Sequence, residues 1–376
     1  MLNQFDSLVV GAGIWGCTLA RRLAEAGHRV LVLEKRPVVG GNCRCEIDTQ
    51  TGIEIHSYGS HIFHTHNRQV WDFVRRFTDF NGYQHKVLAN YKGKTYHLPL
   101  GLTLINKFFD VELRPGEVES FLTEERRRAI FDAFFRGYTS KQWGKAPEEI
   151  DPSIIKRVPV RSNYDTNYYN DYWQGIPSDG YNALFERLLD HENIEVRCNS
   201  PFNLSDLQPP TSNLQPQTIY YSGPIDELFD YKFGALPWRT LRFETERLSV
   251  ADFQGTSVVN YTDIDVPYTR IHEFRHYHPE STWRQASNLT PETIIMREYS
   301  KAWEPGDEPY YPINNPESAA LLARYQEEVE KFNHRSSPTP TPTSSTSTSL
   351  VLGGRLGLYK YLDMDQAMAA ALEVGG

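Results

Sequence analysis

The spacing Gly11-x-Gly13-x-x-Gly16 is the first place where this chain offers chemistry. Glycine has no Cβ, so a turn built from it lets backbone amides come close to a pyrophosphate. A helix starting just beyond it turns free amides and the positive end of its dipole toward the same anion. An acidic residue ending the next strand can then accept hydrogen bonds from ribose hydroxyls, and Glu34 stands directly after Val30-Leu31-Val32-Leu33. The glycines alone would also suit any tight strand-to-helix turn. A strand before the turn, a helix after it and the acid downstream together make it a dinucleotide site.

The elements that must position these residues follow from hydrophobic periodicity. Leu8-Val9-Val10 reads as a buried strand, a helix from about Cys17 carries Leu19, Leu23 and Ala24 on one side, and Gly27 ends it. With the strand at 30–33 this is half of a doubly wound fold. A second helical pattern covers residues 117–138, where Ile130, Phe134 and Tyr138 fall at i, i+4, i+8 beside Phe131 and Phe135. Such spacing more often marks a core stripe than a binding face. Residues 236–299 change to short β-rich runs between polar turns, which predicts an antiparallel sheet. The chain then returns to α/β character, with a helix near 318–332, a strand at 350–352 and a closing helix from about Met364. The Ser/Thr/Pro run at 336–349 is predicted to be a solvated low-complexity loop, and no solenoid repeat is present.

Composition bounds the function. A chain of 376 residues predicts two or three domains, and no apolar run reaches the length of a membrane span. The start, Met1-Leu2-Asn3-Gln4-Phe5-Asp6, has no basic region or cleavage site, so no export signal is expected. Cys17, Cys43, Cys45 and Cys198 form neither a disulfide framework nor a zinc pattern and are expected to be reduced, in a cytoplasmic protein without a metal. The formal net charge of -9 argues against nucleic acid as partner, so an anionic ligand must be met by locally placed arginines.

Further segments carry a resemblance. Gly40-Gly41-Asn42 after Glu34, and Ile219-Tyr220-Tyr221-Ser222-Gly223, are similar to segments of FAD-binding oxidases and mutases. So is Gly354-Arg355 ahead of Tyr361-Leu362-Asp363-Met364-Asp365, where the start of a helix would face the flavin pyrimidine edge. Gly59-Ser60-His61-Ile62-Phe63-His64-Thr65, Tyr138-Thr139-Ser140-Lys141-Gln142-Trp143-Gly144 and Arg157-Val158-Pro159-Val160-Arg161 follow in order. So do Asn260-Tyr261, Val266-Pro267-Tyr268-Thr269-Arg270 and Pro309-Tyr310-Tyr311-Pro312. Together these resemble the bacterial type of UDP-galactopyranose mutase over about residues 8–372.

The resemblance implies an α/β fold: a discontinuous Rossmann-like FAD-binding domain (1–80, 176–226 and 311–376), an inserted helical domain with a mobile active-site loop (98–160), and an antiparallel β-sheet domain (81–97, 161–175 and 227–310). It implies redox-neutral isomerisation of UDP-galactopyranose to UDP-galactofuranose through a flavin N5–sugar adduct on reduced FAD, with a cellular reductant and a homodimer. Gly11, Gly13, Gly16, Glu34, Lys35, Gly41, Asn42, His61, Ser222, Gly223, Arg355, Tyr361, Asp363 and Met364 would then hold FAD. Arg157 and Arg270 match diphosphate-binding arginines and, with His61, are the catalytic candidates; two guanidinium forks suit a departing pyrophosphate. Tyr168, Tyr311 and Tyr361 match tyrosines that donate to the same group, and Tyr138, flanked by Phe134 and Phe135, matches the ring that stacks on uracil. Thr139, Trp143 and Asn260 complete the substrate set.

Arg157 lies in a proline-interrupted stretch, 146–163, expected to swing inward on the nucleotide as a lid. Arg161, Arg239 and Arg297 stay open between ligand contact and ion pairing. Leu358 and Lys360 stand where the family pattern has Thr and Arg, and His85 where it has an asparagine. The competing readings are an amine oxidase-type flavoenzyme, which would not need the arginine and tyrosine set, and a non-catalytic UDP-sugar or FAD-binding protein.

Overall fold

A computed structural model describes residues 5–150, 158–207, 216–278, 292–335 and 348–374. Ser7–Val10 and Val30–Leu33 are buried at every position, as strands covered on both faces must be. They sit inside a five-stranded sheet that runs Ser349–Leu352, Thr218–Tyr221, Ser7–Val10, Val30–Leu33, Ile194–Arg197, parallel throughout. Alternate side chains go to opposite faces. Val9, Val32 and Tyr220 meet Leu19, Leu23, Leu184 and Met368 from the helices Ile14–Glu25, Gly180–Leu189 and Met364–Glu373. Leu8, Val10, Leu31 and Tyr221 meet Val329 and Phe332 of the helix Pro316–Arg335 on the other face.

The second sheet has seven strands in the order Tyr311–Pro312, Trp238–Leu248, Thr293–Ala302, Arg270–Glu273, Val258–Tyr261, Val87–Tyr91, Lys94–Leu98. It is antiparallel except where Val258–Tyr261 runs parallel to Val87–Tyr91. Leu102–Phe109 and a longer helical run pack on it, burying Leu102, Leu104, Ile105, Ile130 and Phe131 against Ala89 and Tyr96.

The expected domain limits change in two places. Tyr311–Pro312 pairs with Trp238–Arg239 and so belongs to the seven-stranded sheet rather than to the nucleotide-binding part. Trp173–Gly175, expected in that sheet, pairs instead with Phe63–Thr65. Both are strands of two or three residues, too short for periodicity to assign a partner. The expected loop at 336–349 lies outside the described residues up to 347, and Ser349 already starts a strand.

The helical pattern at 117–138 is divided. Val118–Phe121 ends before Thr123, which caps Glu124–Ile130 by accepting from the Arg126 amide. A π-helical stretch, Phe131–Arg136, then leads into Gly137–Trp143. Its i→i+5 bonding changes the angular step per residue, so α-helical spacing no longer tells which side chains share a face. Ile130 and Phe134 are core residues, whereas Tyr138 lies at the edge of that core and reaches another partner.

Candidate active site

Four adjacent parallel strands end flush, because Val10 is in register with both Leu33 and Tyr221, and Tyr221 with Leu352. The residues that come next, Gly11, Glu34, Ser222 and Gly353, therefore meet at one edge of the sheet, the place where doubly wound folds bind ligands. A Cβ on Gly16 would lie 2.0 Å from the Gly11 carbonyl oxygen, so only glycine lets the helix start so close to the turn. Gly13 faces the Cα of Gly41, which a Cβ would meet at 3.9 Å, so the two glycine segments form opposing backbone walls. Glu34 is buried and accepts from the amides of Ala12 at 2.8 Å and Arg36 at 2.9 Å, one on each oxygen. Each oxygen keeps a second lone pair, and Glu34 lines the cavity these walls enclose.

The cavity is lined by Gly11, Gly13, Gly16, Glu34, Lys35, Gly41, Asn42, His61, Ser222, Gly223, Arg355, Asp363 and Met364, all of the expected cofactor set except Tyr361. The sequence reading missed Arg36. Its Nη2 donates to Asn42 Oδ1 at 3.0 Å and pairs with Glu308 at 2.6 Å, while Nη1 is buried with no protein partner. An orphaned donor in such a wall fits an anionic ligand, because a buried unmatched N–H is costly. The cradle thus fits a dinucleotide. The helix that opens at Met364, with the Asp363 amide bonded to Gln366 Oε1 at 3.0 Å, contributes to its far wall. Leu358 and Lys360, which depart from the family pattern, are exposed and outside this lining.

His61 Nδ1 lies 2.6 Å from the Gly59 carbonyl, which can only accept, so Nδ1 carries the proton and Nε2 the lone pair. Burial, and after it the Arg355 charge, pull His61 down to about 4, so the ring is neutral at pH 7. Arg355 donates to the carbonyls of Tyr310 at 3.3 Å and Leu362 at 2.8 Å. It also lies 4.4 Å over the Tyr361 ring, which stacks on Tyr311 at 5.8 Å and 19°. Cation and rings lead from the cradle to a second cluster.

That cluster is set by strand register. Asn260, Arg270 and Glu298 are direct cross-strand partners, so they form one row on one face. Arg270 Nε is 3.2 Å from Glu298 Oε1, and Nη2 bonds the Tyr138 hydroxyl. Burial opposes charge on Glu298, but Arg270 and then His272 outweigh it and hold the carboxyl below its usual range. His272 Nε2 is 3.1 Å from the other Glu298 oxygen, and its Nδ1 meets Ser60, which also bonds Tyr277. The Asn260 Oδ1 is buried without a partner beside Arg270. Tyr168 and Tyr361 are 40% and 46% exposed, leaving open rings near this fixed guanidinium.

His85 is buried, bonds the Tyr83 hydroxyl through Nδ1 at 2.9 Å, and accepts the Tyr168 amide on its carbonyl at 2.8 Å. Burial and the Arg270 charge bring it down to about 3, so a neutral ring supports Tyr168. Phe134, expected beside the base, packs its ring among Tyr91, Tyr96 and Phe108 in the helical core. Phe135 is half-buried against the same core. Thr139 and the 42% exposed Trp143 ride on the helix with Tyr138 but are not bonded into the cluster. Arg157 lies outside the described residues, as does the part of the expected lid at 151–157, while 146–150 and 158–163 are described.

The three open arginines are structural. Arg239 caps the helix Gly137–Trp143 by donating to the carbonyls of Gln142 at 3.0 Å and Lys141 at 3.4 Å. Arg161 donates to the carbonyls of Asp165 and Tyr168 and to Asn170 Oδ1, fixing the loop that carries Tyr168. Arg297 pairs with Glu246 at 2.7 Å.

Lys141 gave no sequence signal beyond its place in the motif. Its ammonium donates to the carbonyls of Tyr261, Asp263, Val266 and Tyr268 at 2.7, 2.8, 2.9 and 3.0 Å. These belong to the turn joining Asn260 to Arg270, so Lys141 fixes the Tyr138 helix to the sheet row. A buried group of Cys45, Glu54 and His56 offers three ligand-type atoms within 4.8 Å of one another. There His278 bonds Glu54 at 2.8 Å, and burial pushes the Cys45 thiol up and His56 down, which keeps those two groups uncharged.

A family model described as UDP-galactopyranose mutase matches residues 133–361, which hold Tyr138, Asn260, Arg270, Tyr311 and Arg355. The chain belongs to the UDP-galactopyranose mutase family. A model described as an NAD(P)-binding Rossmann-like domain matches residues 9–77, the N-terminal part of the cradle. A probable UDP-galactopyranose mutase of Klebsiella pneumoniae is 37% identical, over 99% of this chain and 94% of that protein. A dTDP-fucopyranose mutase of Escherichia coli is 36% identical, over 97% and 96%. Among solved structures, a reduced UDP-galactopyranose mutase superposes with a TM-score of 0.67 at 17% identity, covering 98% of this chain and 94% of that one, which shows the shared fold. The family makes the protein an isomerase with a flavin-type dinucleotide cradle. Among the described residues no helix is long and apolar enough to cross a membrane, and the four cysteines are free.

Proposed function

We propose that the protein interconverts UDP-galactopyranose and UDP-galactofuranose, with reduced FAD in the cradle. The observation that carries this reading is the Asn260–Arg270–Glu298 row, joined to the cradle through Tyr311, Tyr361 and Arg355. It places a fixed guanidinium and open tyrosines next to a dinucleotide site, and an oxidase acting on neutral amines has no use for them. Reduced FAD held there would supply an electron pair to the anomeric carbon as the nucleotide leaves and would recover it as the nucleotide returns, with no net oxidation.

The protein's own residues do the rest. Glu298 and Tyr138 hold Arg270 so that its remaining N–H groups meet a diphosphate, where a planar fork is worth more than a point charge. The hydroxyls of Tyr168, Tyr311 and Tyr361 are donors to the same group, and burial and the Glu298 charge push Tyr311 up, keeping its proton on. Asn260 Oδ1 offers a ready acceptor. The neutral His61, with its lone pair on Nε2, can accept a hydrogen bond near the cofactor face. Arg157 is assigned to the diphosphate on its motif. We further infer a cytoplasmic homodimer served by an external flavin reductant.

The test is anaerobic incubation with UDP-galactofuranose, with and without dithionite, followed by separation of the sugar nucleotides. UDP-galactopyranose should form only with the reductant. The dTDP-fucopyranose pair is run alongside, since relatives of nearly equal identity carry the two names. Conversion of only the dTDP-linked sugar would move the substrate assignment, and conversion of neither would refute it.

A further inference from the structure

A separate cavity of about 430 Å³ shares no lining residue with the cradle or the Arg270 row, and is within the size range of small-molecule sites. Its floor is aromatic. The indoles of Trp71 and Trp173 stack at 5.7 Å and 10°, Phe80 lies 4.9 Å from Trp71, and Tyr172 at the rim is 81% exposed.

Its wall is made of side-chain amides with unused capacity. Gln84 and Asn167 make no side-chain hydrogen bond within the described protein. Asn170 uses its oxygen for Arg161 at 2.6 Å and Gln174 its oxygen for the His85 amide at 3.1 Å, leaving both NH₂ groups free. The loop that presents Asn167 and Asn170 is preorganised by Arg161.

The charges select among ligands. Asp165 and Asp171 line the cavity, and its guanidinium, Arg75, is bonded to Asp79 at 2.8 Å and lies over Trp71. A phosphorylated ligand would meet carboxylates here without a free cation. A sugar ring fits every feature: its C–H face packs on indole, and its hydroxyls donate and accept as planar amides do.

We propose that this cavity, built from the Trp71–Trp173 stack and the amides of Gln84, Asn167, Asn170 and Gln174, binds an uncharged saccharide ring at a second site distinct from the nucleotide-sugar site. Tyr169 and Gln174 relate the two: Tyr169 lines this cavity, stacks on His85 at 5.5 Å and meets Tyr168 at 5.3 Å, and Gln174 accepts the His85 amide at 3.1 Å. Failure here would leave the proposed isomerisation untouched.

The experiment uses the FAD-loaded protein saturated with UDP, so that the nucleotide-sugar site is closed to the probes. Methyl β-galactofuranoside, methyl β-galactopyranoside and, as anionic control, galactose 1-phosphate are titrated by saturation-transfer-difference NMR. One of the neutral glycosides should give a saturable signal with a Kd on the order of 1 mM, and the phosphate a weaker one. Q84A/N167A, which alters side chains without protein partners and should retain full FAD, should weaken it about tenfold, as expected for two lost hydrogen bonds. No saturable signal from either neutral glycoside, a signal from galactose 1-phosphate as strong as theirs, or equal binding by Q84A/N167A would each overturn the proposal.

Discussion

The cradle at the end of the parallel sheet is largely backbone. Gly11, Gly13, Gly16 and Gly41 remove side chains so that amides can approach a ligand, and one carboxylate, Glu34, closes the floor. The row on the seven-stranded sheet is the opposite: Asn260, Arg270, Glu298 and His272 act through their side chains, and Tyr138 reaches them from a helix far away in sequence. A site made by leaving atoms out tolerates no addition. A site made of side chains holding one another degrades by steps, according to how many contacts each change removes.

Three substitutions test this contrast. Gly13→Val should have the largest effect: the protein should fold, since a Cβ is tolerated at 3.9 Å from Gly41, yet be colourless, because the branched chain fills the gap between the walls. Flavin absorbance and circular dichroism read the two outcomes, and a yellow Gly13→Val protein would break the backbone half of the comparison. Arg270→Lys comes next. Alanine here would strand Glu298 as a buried unpaired charge, whereas lysine keeps the ion pair and loses the fork. Turnover should fall roughly 10- to 100-fold with FAD content unchanged; unchanged kinetics would remove Arg270 from the reaction. Lys141→Met should have the smallest effect, a rise in KM for the nucleotide sugar on the order of tenfold, from a looser joint between the Tyr138 helix and the Asn260–Arg270 turn. Partial recovery in Lys141→Arg would sharpen the comparison, and loss of FAD instead of substrate affinity would break it.

Much of the cradle was legible because it is local. Strand, glycine turn, helix and acid all fall between residues 7 and 34, and each has its own signal in composition or periodicity. Arg36 could have been added on the same ground, as a basic residue just past Glu34. Phe134 was given to the substrate by its motif, although its helical spacing already marked a core stripe, and in the structure it packs in that core. The partners of Tyr311–Pro312 and Trp173–Gly175 were misassigned because such short strands have too little pattern to choose a neighbour.

By itself the sequence determined the doubly wound start, the dinucleotide turn and, through its motifs, the candidate arginines and tyrosines, because backbone chemistry and short-range order depend on adjacent residues. Only the tertiary structure decided which of them act together. Glu298 and His272 became partners of Arg270 through strand register, Arg239 and Arg161 became braces through the carbonyls they found, and Lys141 became a clamp through four carbonyls of one turn. Such pairings join residues remote in the chain, and a polar side chain gains its role only from the groups that burial leaves within hydrogen-bonding reach.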